Sequence, residues 1–260
     1  DTFFEILGGF HDTYRYYEET FSRRSWDGSD HPLFGVGGVA ENNAAFNPNC
    51  GRMWFGDGVT DLDIVGHEFT HGVVFTHLRS EYRDAPGALN ESLADLMGAL
   101  VVQFEEGSWP CRLRFRNICM PVRDHVDQYC ATSDASTRPE CAEDHGMVHT
   151  NSGILNVVGS LLAIGGTHRT STIRISPIGF DSLGHLLNDI IIRDLSRSSG
   201  LTSACRAMVE RSRRWSNDTF REITPMDACQ VRNACAVAGF NDSDTDCDGL
   251  LDQREDDDDG

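Results

Sequence analysis

The sequence predicts an α+β protein in two lobes, a mixed N-terminal part that carries strands and a mainly helical C-terminal part. Two observations carry that reading. Between residues 34 and 55 short apolar runs are broken by glycine and asparagine, the pattern of strands joined by tight turns. Over residues 61–75 and 87–100, and in four stretches after 152, apolar residues recur at three- and four-residue spacing, the pattern of helices packed on a core. A chain of 260 residues, 39% hydrophobic, suffices for one large domain or two lobes.

In chain order, residues 3–21 read as a first helix in which Tyr14, Tyr16 and Tyr17 pack the core. Ser25, Trp26, Asp27 and Gly28 mark a turn. Met53, Trp54 and Phe55 read as a strand, followed by a turn into the helix over 61–75. The helix over 87–100 has Leu89, Leu93, Leu96 and Leu100 as its buried stripe, with Glu91 off it. Residues 111–141 show little helical pattern. Stretches 152–164, 182–195, 204–215 and 228–238 read as a helical bundle, with Asp181 placed to cap the second. The expected boundaries are 1–78 for the N-terminal lobe, 79–240 for the helical lobe and 241–260 for an acidic tail.

The net charge of −19 argues against nucleic acid as a partner, because phosphate contacts need a basic surface. All 22 basic residues are arginine, and no physical account of that is evident. No run of 18 apolar residues occurs, so no membrane span is expected. Asp1, Thr2, Phe3, Phe4 and Glu5 have no basic stretch ahead of an apolar core, so no leader is expected within this chain. Nine cysteines without the paired spacing of structural zinc sites point to disulfides in an extracellular protein. Their odd number leaves at least one thiol over, and their pairing stays open. A monomer is expected.

The chemistry centres on His67-Glu68-Phe69-Thr70-His71. On a helix, residues four apart share one face, so both imidazoles can converge on one metal ion, with Glu68 beside them to act on a water. Two packed or solvated histidines are the plain alternative. A catalytic zinc takes three protein ligands and leaves a fourth position open. Glu91, on the next helix, is the candidate third ligand, and its neighbours Asn90 and Asp95 can orient ligating imidazoles through their second nitrogen. The metzincin metalloproteases place a third histidine ligand six residues after the second, where His77 stands, which makes that pattern the competing resemblance. Val74 stands where a turn-forming glycine would be needed, and a straight helix carries His77 away.

These residues, with Gly87-Ala88-Leu89-Asn90-Glu91-Ser92-Leu93-Ala94-Asp95 and Gly146-Met147-Val148-His149-Thr150-Asn151-Ser152-Gly153, resemble the thermolysin family of secreted zinc endopeptidases. The resemblance implies a cleft between two lobes, with His67, His71 and Glu91 as zinc ligands and Glu68 as general base. It implies Asp95 behind His67 and Asn90 behind His71. It further implies Tyr82 and His149 as donors to the oxyanion, Asp144 as the partner of His149, and Asn43 and Ala44 on an edge strand that holds the substrate. Arg116, with Arg114 as the fallback, would grip a substrate carbonyl, and His145 is the nearest confusion with His149. Phe55, Ile64 and Phe115 are candidate walls of an apolar pocket, which implies cleavage of protein or peptide substrates before a bulky hydrophobic residue. A calcium- or zinc-dependent scaffold or adhesion protein without turnover is the alternative class.

Three features depart from the family pattern. Its long sheet-rich opening segment has no counterpart here, so the chain reads as a fragment or a trimmed member. Asp63 matches a calcium carboxylate, but the partner acid falls on Val102. The cysteines are unusual and suggest disulfides bracing in place of calcium. Separately, Asp244, Asp246, Asp248, Asp252 and Glu255 fit a calcium-loop pattern with Gly249 at its turn, against the reading of a plain acidic tail.

Overall fold

The computed structural model describes residues 2–39, 42–218, 223–248 and 251. Helix α1 (Thr2–Phe21) buries Ile6, Phe10, Tyr16 and Tyr17 on one face. Its Gly9 lies against Val65, leaving no room for a side chain. Strands β1 (Phe34–Val39), β2 (Ala44–Asn47) and β3 (Arg52–Gly56) form a sheet in the order β1-β3-β2, with β1 parallel and β2 antiparallel to β3. The central strand β3 buries Met53 and Phe55, so Phe55 belongs to the hydrophobic core, packed on Phe10, and not to a pocket wall.

Helices α2 (Leu62–Leu78) and α3 (Asp84–Glu106) form the middle of the molecule. Their backbones nearly touch where Gly66 faces Gly98: a Cβ on Gly98 would lie 2.7 Å from the Asp63 carbonyl oxygen. Helix α3 extends beyond the 87–100 pattern at both ends, and from Gly87 to Val102 nearly every residue is buried, Glu91 included. It is a core helix wrapped on all sides rather than a striped one.

From 107 to 143 the chain makes short 3₁₀ turns and one isolated antiparallel bridge between Arg112 and Asn117, and the disulfides Cys111–Cys119 and Cys130–Cys141 cross-link it. Next come α4 (Asp144–Asn151) and the buried α5 (Gly153–Ile164), then a two-stranded ribbon, β4 (Gly166–Thr167) and β5 (Arg174–Ile175). The stretch Asp144–Ile164 is long and apolar enough for a membrane span, but most of it is buried within the molecule and α4 is broken by a kink.

Helices α6 (Phe180–Asp189), α7 (Leu201–Trp215) and α8 (Pro225–Val237) complete the helical part. Gly179, with φ 89°, is the N-cap of α6, so Asp181 sits in the first turn, where its charge meets the positive end of the helix dipole. Disulfide Cys205–Cys235 joins α7 to α8, and Cys229–Cys247 ties the following segment back to α8. Cys50 is free and exposed.

Candidate active site

One turn of α2 places His67 and His71 side by side, ring centroids 4.5 Å apart. Each ring is held through Nδ1: His67 by Asp95 Oδ1 at 2.9 Å, and His71 by the Asn90 side-chain carbonyl at 2.9 Å. That carbonyl only accepts, so His71 Nδ1 carries a proton and Nε2 is the nitrogen left to face an ion. Both Nε2 atoms face Glu91, whose carboxylate oxygens lie 3.6 Å from His67 and 3.3 Å from His71.

One ligand atom from each of His67, His71 and Glu91 falls within 4.8 Å of the others, the convergence a single ion needs. The donor set, two imidazole nitrogens and one carboxylate, suits zinc with a position left open. A second observation fits: Glu68, 5% exposed on the cleft wall, has a buried carboxylate oxygen without a hydrogen-bond partner, an acceptor poised for a water.

The electrostatics follow from burial. Burial alone would raise Glu91, but His71, His67 and Arg116 hold it well below the usual carboxylate range. Burial opposes protonation of His71, yet Glu91 raises it to about 9. Burial first and then Glu91 raise the Tyr82 phenol, which keeps its proton.

Tyr82 reaches Glu91 Oε1 at 2.5 Å and His149 Nε2 at 3.1 Å, and His149 Nε2 lies 3.2 Å from Glu91 Oε2. Asp144 grips His149 twice, at Nδ1 (2.7 Å) and at the backbone N–H (3.0 Å). The turn that makes this possible is left-handed: Asp144, His145, Gly146 and Met147 all have positive φ. Only glycine adopts such a conformation cheaply, and Gly146 is also needed for space, since a Cβ there would lie 2.2 Å from Asp84 Oδ1. Asn151 fastens the turn by donating to the carbonyls of Gly146 and Cys130, both at 2.8 Å. His145 lines the same cleft edge-on to Tyr82, ring centroids 5.7 Å apart.

The cleft, of about 490 Å³, is lined by Asn43, Ala44, Phe46, Ile64, Phe115 and Arg116 around the histidines. Strand β2 is therefore the sheet edge that borders it. Arg116 binds Asp95 through two nitrogens and Glu91 Oε2 at 3.1 Å. Arg114 instead pairs with Asp61 at 3.3 Å, and its backbone N–H fills Asp63 Oδ2 at 2.7 Å. Among the described residues Asp63 gathers no metal-binding cluster. His77 faces Arg23, its Nε2 3.0 Å from a guanidinium nitrogen, and takes no part in the cluster.

Asp244, Asp246 and Asp248 bring their carboxylates together beside α8, whereas Asp252, Glu255 and Gly249 lie outside the described residues. Sequence reasoning missed Ser92 and Asn156: the Ser92 hydroxyl donates to Asn156, and the Asn156 amide donates to Asp95. The available signal was a lone amide inside the apolar run 153–163.

Residues 6–75 match the family model of the thermolysin metallopeptidase catalytic domain, and residues 79–225 that of its alpha-helical domain. The chain is 37% identical over 188 residues to bacillolysin of Bacillus cereus, covering 66% of this chain and 33% of that protein. It is 30% identical over 240 residues to thermolysin of Alicyclobacillus acidocaldarius subsp. acidocaldarius, covering 86% of this chain and 43% of that protein. The chain thus spans a third to somewhat under half the length of these relatives. Among solved structures it superposes on the precursor of protealysin, a metalloproteinase from Serratia proteamaculans, with a TM-score of 0.74 at 22% identity, over 92% of this chain and 79% of that one.

Proposed function

This chain belongs to the thermolysin metallopeptidase family, and on that premise we propose that it acts as a secreted zinc endopeptidase on protein or peptide substrates. The observation that carries the reading is the convergence of His67, His71 and Glu91, each imidazole anchored from behind, beside the buried, unsatisfied carboxylate oxygen of Glu68. His67, His71 and Glu91 would hold the zinc, which would supply Lewis acidity toward the peptide carbonyl and toward water. Glu68 takes the proton from the attacking water and delivers it to the leaving amine. Tyr82 and His149 donate to the oxygen on which negative charge develops, and Asp144 holds His149 in place for that. The edge of β2 at Asn43 and Ala44 receives the extended substrate, and Arg116 presents its remaining N–H groups to a substrate carbonyl.

Ile64 and Phe115 on the cleft wall support cleavage before a bulky hydrophobic residue. Four disulfides support an extracellular setting, and the net charge of −19 speaks against nucleic acid. The protein works as a monomer without a membrane. The clustered Asp244, Asp246 and Asp248, extended by Asp252 and Glu255, support a calcium site in the tail. The deciding experiment is casein cleavage by wild type and Glu68→Ala, with zinc content measured on both. Loss of roughly 100-fold or more in the variant with zinc retained is expected. A wild type that binds zinc and cleaves no peptide library would favour the scaffold reading.

A further inference from the structure

Helix α5 is buried along nearly its whole length and mostly apolar, yet it carries Asn156, 1% exposed, in its middle. The amide Nδ2 donates to Asp95 Oδ2 at 2.8 Å, and Oδ1 accepts from the Ser92 hydroxyl at 2.7 Å. Chemistry fixes this orientation. A carboxylate only accepts, so the amide turns its N–H toward Asp95, and its carbonyl is left for Ser92. Asp95 Oδ1 then receives His67 Nδ1 at 2.9 Å. A continuous buried chain thus runs from Ser92 through Asn156 and Asp95 to a ligating imidazole.

We infer that Asn156 is a positioning residue for the metal centre, holding Asp95 in the orientation that aims His67 Nε2 at Glu91. The inference rests on the zinc reading above. Arg116 also binds Asp95, but its guanidinium borders the cleft and is shared with Glu91, whereas Asn156 reaches Oδ2 from the closed side. Elsewhere along the α3–α5 contact Leu96 is seated on Gly159, and such apolar packing leaves the torsion of a carboxylate undetermined.

The test compares Asn156→Leu, nearly the same size, with Ser92→Ala and with Leu155→Ala as an apolar truncation of the same helix. Zinc affinity is measured by chelator competition, geometry by the visible spectrum of the cobalt-substituted protein, and stability by thermal melting. Asn156→Leu is expected to bind zinc about tenfold more weakly with shifted cobalt bands. Ser92→Ala should move both readouts the same way by less, and decides the matter if Asn156→Leu does not fold. Leu155→Ala should lower the melting temperature and leave both readouts alone. Wild-type zinc affinity and spectrum in Asn156→Leu, or equal weakening in Leu155→Ala, would overturn the inference. A wild type that takes up no zinc would instead refute the metal reading itself.

Discussion

Arg116 lies along Asp95 with Nε and one terminal nitrogen both within 2.9 Å of the carboxylate, while Asp95 is 1% exposed. The same guanidinium reaches Glu91, so one cation spans a metal ligand and the carboxylate that orients another. Removing it takes a cation from two buried carboxylates, leaving Asp95 to His67 and Asn156 and Glu91 to the two histidines. Arg116→Ala is expected to destabilise the protein by about 3 kcal/mol, measured by urea unfolding. A change below about 1 kcal/mol would show that Asp95 finds other compensation.

His149 and His145 share the cleft but not its chemistry. His149→Ala should lower kcat about 100- to 1,000-fold at unchanged zinc content, since it removes one donor to the developing oxyanion. His145→Gly should keep activity and raise stability by about 1 kcal/mol, because φ 54° is strained for histidine and free for glycine. Activity assays and melting curves on the pair check both statements, and reversed effects would exchange their roles.

Proton and zinc compete for His71. Its value is raised from the ordinary 6.5 to about 9, so its ion pair with Glu91 stabilises the metal-free fold fully below pH 6.5 and is lost as pH rises through 9. Zinc takes the neutral ring, so apparent zinc affinity should climb with pH across that window and level off above it. Chelator competition from pH 6 to 10 gives the profile, and a flat one would contradict the assignment.

Arginine has no acceptor, so the contact of Arg23 with His77 Nε2 requires a neutral imidazole. Burial and the Arg23 charge both depress His77, and a depressed histidine costs stability as pH falls below its unfolded value. His77→Gln keeps an acceptor and cannot charge. The variant should lose less stability than wild type between pH 7 and 5, read by urea midpoints, and parallel curves would remove His77 from the acid response.

Non-reducing peptide mapping should give the linkages Cys111–Cys119, Cys130–Cys141, Cys205–Cys235 and Cys229–Cys247. Cys50 alone should be alkylated without reductant. Opening Cys130–Cys141 releases the backbone that Asn151 ties to Gly146, so the double Cys→Ala variant should lose about 2–4 kcal/mol and a share of kcat.

What could be read in advance was what is local. The spacing of His67 and His71, the apolar period around them and the amide beside Glu91 all sit within a few turns of helix. Phe55 was misplaced because alternation along a strand separates two faces without saying which borders the cleft. Asp181 was expected at the cap because capping statistics favour the acid, and it lies two residues past it because a glycine with φ 89° ends the loop at Gly179. The left-handed turn at 144–147 has one glycine in four, so no local preference announces it. The bond from Ser92 to Asn156 spans 64 positions, and nothing near either residue foretells it.

The meeting of Gly66 and Gly98 makes the two helices a gauge block: their axes cannot approach further, and any side chain at either position wedges them apart. Ligands mounted on opposite sides of such a block keep a fixed bite. Gly66 and Gly98 thereby set the spacing of the two helices that carry His67, His71 and Glu91.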